Sequence, residues 1–142
     1  MSKRIMALDV GDKTIGLALS DPFGWTAQPL YTLQRTQPDE DLHELNQLIR
    51  HHQVTRLLVG IPRNMNGTEG PQAEKVRAFI AQLQQVIPCP ISEWDERLST
   101  KMAERSLIQA DVSRKKRKKI IDTAAAVTML QGYLDSVNRQ HP

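Results

Sequence analysis

At 142 residues the chain has the length of about one domain, read as a single domain over residues 1–142, and can bury a core without disulfides or a structural metal. With 39% hydrophobic and 25% charged residues it is too apolar for a disordered protein, and its one cysteine, Cys89, excludes an internal disulfide and a cysteine metal cluster. The net charge of +3 hides an uneven distribution: nine basic residues against two acidic ones fall between Arg97 and Lys119, a local excess that suits a polyanionic partner.

No run approaches the ~20 apolar residues of a membrane span. Asp9 cuts the apolar run behind Lys3 and Arg4 far short of a signal-peptide core, so a cytoplasmic protein without membrane attachment is expected. Arg4 to Val10 and Ile15 to Leu19, separated by Gly11-Asp12-Lys13, predict two strands joined by a turn. Trp25 to Leu33 predicts a third strand, at a sheet edge because Pro29 lacks an amide donor. Leu42, Leu45, Leu48 and Ile49 then recur at helical spacing behind Asp39-Glu40-Asp41, giving a first helix.

Val54 to Ile61 is a continuous apolar run around Leu57, Leu58 and Val59, as expected of a strand covered on both faces in a parallel sheet. After a loop from Pro62 to Gly70, Pro71 opens a second helix with Val76, Phe79, Ile80, Leu83 and Ile87 along one face. Pro90 to Trp94 predicts a short strand, Ser99 or Thr100 caps a third helix to about Gln109, and Ile120 to Val137 forms a fourth, with Arg114 to Lys119 as the polar link. The order βββαβαβαα implies a layered α/β domain.

Carboxylates stand at three places in the chain where chemistry could use them. Asp9 ends the first strand, Asp95-Glu96 ends the last, and Asp122 sits near the start of a helix followed by Thr123-Ala124-Ala125-Ala126, whose small side chains allow close packing. Singly, each has an ordinary reading as a turn residue or a first-turn helix charge. Together they would repel unless neutralised, and hard divalent cations prefer oxygen ligands. A cation pair ~3.5–4 Å apart can drive in-line phosphodiester displacement without a histidine base. His43, His51, His52 and His141 are read as non-catalytic, and Asp21, at the far end of the second strand, lies ~20 Å from Asp9 at ~3.3 Å per residue.

Four segments together carry a resemblance. They are Leu8-Asp9-Val10-Gly11-Asp12-Lys13-Thr14-Ile15-Gly16 with Ala18-Leu19-Ser20-Asp21; Val59-Gly60-Ile61-Pro62-Arg63-Asn64-Met65-Asn66-Gly67-Thr68-Glu69-Gly70; Asp95-Glu96-Arg97-Leu98-Ser99-Thr100; and Ile121-Asp122-Thr123-Ala124-Ala125-Ala126. In this order, over nearly the whole chain, they resemble the YqgF, or RuvX, family of bacterial ribonuclease H-like proteins. The resemblance implies a five-stranded mixed sheet, three strands antiparallel and then two parallel, flanked by helices. It also implies a hydrolase that cuts nucleic acid, with Asp9, Glu96 and Asp122 as its acidic triad and Asp95 as the alternative to Glu96. Thr14 and Asn66 depart from the arginine and aspartate that many relatives carry there.

The expected cofactors are two divalent cations, Mg²⁺ or Mn²⁺. Lys13, Asn64, Arg97, Lys115, Lys116, Lys118 and Lys119 are the candidate nucleic-acid contacts; Arg97 could equally pair with an acid of the site, and the basic run could be solvated surface. The scarcity of aromatic residues points to backbone and shape recognition. The leading expectation is processing of the 5′ end of precursor 16S ribosomal RNA, with ribosomal particles as further partners. A four-way DNA junction is the alternative substrate, and a non-catalytic RNA-binding role in ribosome assembly or transcription is a third reading. Asp9-Val10-Gly11 with Thr14 also resembles the phosphate loop of actin-like ATPases, but those bind nucleotide between two such domains. The sequence leaves the oligomeric state open.

Overall fold

The computed structural model describes the backbone of residues 4–98 and 114–139, and the side chains of residues 4–97 and 123–138. Strands β1 (Arg4–Val10), β2 (Thr14–Ser20) and β3 (Ala27–Gln34) are followed by helix α1 (Pro38–His51), β4 (Val54–Ile61), α2 (Pro71–Val86) and β5 (Ile91–Asp95). A 3₁₀ turn, Glu96–Leu98, follows β5, and α3 (Arg114–Arg139) ends the described chain. The five strands form one sheet in the order β3-β2-β1-β4-β5. Both β1–β2 and β2–β3 are antiparallel, and β1–β4 and β4–β5 are parallel, as expected.

Alternation along each strand sorts the side chains between two layers. Met6, Leu8 and Val10 of β1, with Leu57, Val59 and Ile61 of β4, pack beneath α1 and α2 against Leu45, Ile49, Val76, Phe79 and Leu83. Ala7, Ala18 and Leu58 face the other way and pack against Ala126, Met129, Leu130 and Leu134 of α3. Leu57, Leu58 and Val59 are fully buried because β4 lies inside the sheet with helices on both faces. β3 takes the edge, where Pro29 pairs at a register shift and withholds no amide from a neighbour.

Two boundaries differ from the sequence expectation for local reasons. Trp25 and Thr26 do not extend β3, because both amides donate to Asp21 Oδ1 at 2.7 Å. The Asp21 carboxylate, held below the usual aspartate range by the Thr26, Trp25 and Phe23 amides, thus organises the β2–β3 turn. The basic run Arg114 to Lys119 is not a link between helices: it forms the first turns of α3. Lysine and arginine are good helix formers and the run contains no glycine or proline, so propensity outweighs like-charge repulsion. The expected helix from Ser99 or Thr100 to Gln109 lies outside the described residues. Among the described residues no helix is long and apolar enough to cross a membrane.

Candidate active site

The parallel strands β1, β4 and β5 all end on one side of the sheet, where an α/β sheet presents its ligands. Asp9 is the next-to-last residue of β1 and shares the α3 face with Ala7. In the register of the sheet it stands opposite Gly16 of β2, and the next parallel step from Leu8–Val59 brings Gly60 of β4 beside it. Glu96 begins the 3₁₀ turn just past β5, and its side chain runs back over Gly60 to within hydrogen-bonding reach of the Asp9 carboxyl.

Gly60 is what makes that approach possible. A Cβ built on it would stand 2.6 Å from Glu96 Cγ and 2.7 Å from Cδ, far inside van der Waals contact. A glycine inside a strand often marks such a close approach. Gly60 is the functional position that the reading of the sequence missed as such; the signal was its interruption of the apolar β4 run two residues before Pro62.

Burial is the first cause, and the Asp9 and Asp95 carboxylates the next, that push the Glu96 carboxyl up to about 9. Its Oε1 is buried without a hydrogen-bond partner. Two carboxyl groups that close, one carrying an orphaned oxygen, form an all-oxygen donor set that a hard divalent cation would complete. Among the described residues no group of three or more His, Cys, Asp or Glu forms a metal cluster; the third candidate, Asp122, lies in α3 and its side chain is outside the described set.

Asp95 and Glu96, adjacent in sequence, have different partners. Asp95 is gripped by Arg97 through Nη2 at 2.6 Å and Nε at 2.9 and 3.1 Å, and also accepts from the Arg97 amide at 3.0 Å. Those bonds hold the Asp95 carboxyl below the usual range. The second guanidinium nitrogen of Arg97 donates to the Met65 carbonyl at 3.3 Å and lies over Gly67, whose φ of +89° suits glycine alone. Arg97 thereby ties β5 to the Pro62–Gly70 loop.

Asn64 is engaged inside that loop, donating to Thr68 Oγ1 at 2.9 Å, and Lys13 is exposed in the β1–β2 turn. Lys115, Lys116, Lys118 and Lys119 belong to the first turns of α3, with side chains outside the described set. The direction of α3 is fixed by its other end: Gln131 accepts from the Ala27 amide and Asn138 donates to the Gly24 carbonyl, both at the far end of the sheet from Asp9. The N-terminus of α3 therefore points toward the Asp9 end. His51 and His52 stand at the end of α1, immediately before β4 starts, and so at the opposite end of the sheet from the carboxyl pair.

The profile of the RuvX family, described as Holliday junction resolvase, matches residues 3–136. The chain belongs to the RuvX family. A relative from Desulforamulus reducens is 62% identical over 133 residues, covering 94% of this chain and 97% of that protein. One from Halalkalibacterium halodurans is 53% identical over 134 residues, covering 93% and 96%. Both carry the name "Putative pre-16S rRNA nuclease". The RuvX chain also has the fold of two solved resolvases. Thermus thermophilus RuvC, in complex with a Holliday junction, superposes with a TM-score of 0.62 at 11% identity over 96% of each chain. The fowlpox virus resolvase gives 0.60 at 13% identity, over 94% of this chain and 98% of that one. This is the ribonuclease H-like architecture implied by the sequence resemblance.

The raised Glu96 and depressed Asp95, Glu69 and Asp21 carboxyls set a pH dependence for the metal-free RuvX protein. Below the ordinary carboxylate range of ~4, the three depressed groups lose their stabilising charge, so stability falls as pH falls. Glu96 acts in the opposite sense: folded chains keep its proton up to about 9 and unfolded chains release it earlier, so stability falls as pH rises through that window. In EDTA the melting temperature should decline from about pH 5 to pH 9, and Glu96→Gln should flatten that limb. A melting temperature that rises with pH in both proteins would contradict the buried, protonated Glu96.

Proposed function

We propose that this chain is a metal-dependent nuclease that hydrolyses phosphodiester bonds, with the 5′ end of precursor 16S ribosomal RNA as its substrate. The observation that carries this reading is the paired Asp9 and Glu96 carboxyls at the ends of β1 and β5, with one buried oxygen unsatisfied. The two relatives' shared name and the family's description support cleavage of nucleic acid.

In this reading Asp9, Glu96 and Asp122 hold two Mg²⁺ or Mn²⁺ ions. Position 122 lies one helical turn before Ala126, which packs on the sheet against the face that carries Asp9. Bound ions of this kind supply an activated water and stabilise the leaving oxygen. The protein's own contribution is to keep the carboxyls together on a rigid sheet end, with Gly60 leaving room for them and Arg97 ordering the loop beside them. Lys13, Asn64 and the α3 lysines then bind the phosphate backbone. A four-way DNA junction remains the second reading, because the family carries the resolvase description.

The test is incubation of the purified protein with Mn²⁺ and either labelled precursor 16S RNA or a synthetic junction. Selective, Mn²⁺-dependent cleavage of the RNA is expected. Selective cleavage of the junction would transfer the assignment to the second reading, and binding without cleavage would favour a non-catalytic role.

Replacing Lys115, Lys116, Lys118 and Lys119 with alanine should weaken RNA binding broadly. A lysine that neutralises one phosphate contributes roughly 0.7 to 0.9 to the slope of log affinity against log salt, through the counterion it releases. If two or three of the four act in this way, the slope falls by about two units while metal binding stays nearly unchanged. An unchanged slope would make the start of α3 a bystander.

A further inference from the structure

Three arginines surround the loop that leaves β4, and they are not equivalent. Arg97 is spent on Asp95 through three side-chain hydrogen bonds of 2.6 to 3.1 Å. Arg77 is spent on Glu69 at 2.6 and 2.7 Å and on Glu93 at 3.0 Å. Arg63, two residues beyond the end of β4, makes no side-chain hydrogen bond among the described residues. Its nearest acids are Glu69 at 3.5 Å and Asp95 at 3.8 Å, both already taken by a better-placed arginine. Its Nε is buried and unpartnered.

Charge-assisted hydrogen bonds of guanidinium to oxyanion run at about 2.7–2.9 Å, so the Arg63 contacts are ion pairs at a distance and leave its donor fork open. An open guanidinium fork matches a phosphate group in shape and charge. Asp95, its neighbour, stands at the end of β5 in register with Ile61, so the fork lies at the same end of the sheet as the carboxyl pair, on the α1/α2 side of it.

Resting on the nuclease reading above, we propose that Arg63, and not Arg97, grips a backbone phosphate of the nucleic-acid substrate at the sheet end that carries the Asp9–Glu96 pair. On binding, Arg63 exchanges its loose contacts to Glu69 and Asp95 for a forked pair of hydrogen bonds to phosphate oxygens. Neither acid is stranded by the exchange, because Arg77 and Arg97 remain on them.

The test uses the full chain with Asp9→Asn as a cleavage-dead parent, and fluorescein-labelled precursor 16S RNA and a four-way junction as probes. Adding Arg63→Gln should lower affinity about fivefold or more and reduce the salt slope by roughly 0.7 to 0.9. Arg63→Lys should keep the slope while recovering only part of the affinity, since it retains the charge and loses the fork.

A second measurement needs no variant to fold. Arg63 and Arg97 are about equally exposed, at 30% and 32%, so phenylglyoxal labelling of the unsubstituted protein can be compared with and without the RNA. RNA should protect Arg63 more than Arg97. An unchanged slope in Arg63→Gln, or no protection of Arg63, overturns the proposal while leaving the nuclease reading intact. A parent that binds neither probe overturns both.

Discussion

Asp9→Asn should abolish metal-dependent cleavage while leaving the fold intact. The substitution removes one charge from the carboxyl pair with almost no change in side-chain volume, and Asp9 is flanked by Gly16 and by the backbone of Gly60 rather than by bulky neighbours. Loss of a shared metal ligand predicts a fall in rate of roughly a thousandfold or more, about 4 kcal/mol of barrier. Stability should move the other way. With the Asp9 charge gone, one cause of the raised Glu96 carboxyl disappears, so the metal-free protein loses part of the stability penalty of holding Glu96 protonated above the ordinary glutamate range. In EDTA at pH 8 the variant should therefore melt at or above the temperature of the parent chain. Cleavage at the parent rate by a preparation free of contaminating nuclease would remove Asp9 from the site.

Gly60→Ala is the second large effect, and it separates function from stability. The added methyl group would collide with Glu96 Cγ and Cδ, at 2.6 and 2.7 Å, so Glu96 must leave its place beside Asp9. What moves is the end of a flexible side chain in a 3₁₀ turn rather than a strand, so the cost in stability should stay within about 1 kcal/mol. A displacement of ~1 Å at reacting groups can cost about a hundredfold in rate, and Gly60→Ala should lose at least that much in kcat. Its KM for RNA should change little, because Gly60 stands among the carboxyls and not among the candidate phosphate contacts. Near-normal kcat together with an unchanged melting temperature would mean that the working position of Glu96 is not the one described.

Much of the fold was legible because hydrophobic period changes cleanly along the chain. The short apolar runs of β1 and β2 between turn residues, the longer apolar run of β4 and the helical spacing of Val76, Phe79, Ile80 and Leu83 each report a different pattern of burial. The basic run was misread because charge says nothing of backbone state: lysine and arginine suit a helix as well as a loop, and only the absence of glycine and proline spoke for α3.

The site was legible in part. Asp9 and Glu96 stand out as acids at strand ends, but their meeting depends on the order β1-β4-β5, which adjacent letters do not encode. The different partners of Asp95 and Glu96 follow alternation at the end of β5, which puts Asp95 on the face of Ile61 and brings Glu96, like Trp94, to the face of Asp9. Asp41 was read as an ordinary first-turn charge; it is 3% exposed, accepts the Thr36 amide at 3.0 Å and meets Arg35 at 3.4 Å. Partners in the preceding loop, five and six residues away, have no periodic signature.

The most direct test is a matched cleavage assay of the unsubstituted chain, Glu96→Gln and Asp95→Asn on 5′-labelled precursor 16S RNA with Mn²⁺. The unsubstituted chain should cleave, and Glu96→Gln should lose nearly all activity because the amide carries no negative charge and only one oxygen donor for a cation. Asp95→Asn should retain much more, since its carboxylate faces Arg97 and Arg63 rather than Asp9. Loss of activity in Asp95→Asn with retention in Glu96→Gln, or no Mn²⁺-dependent cleavage by the unsubstituted chain, would contradict the assignment of the carboxyl pair as the catalytic centre.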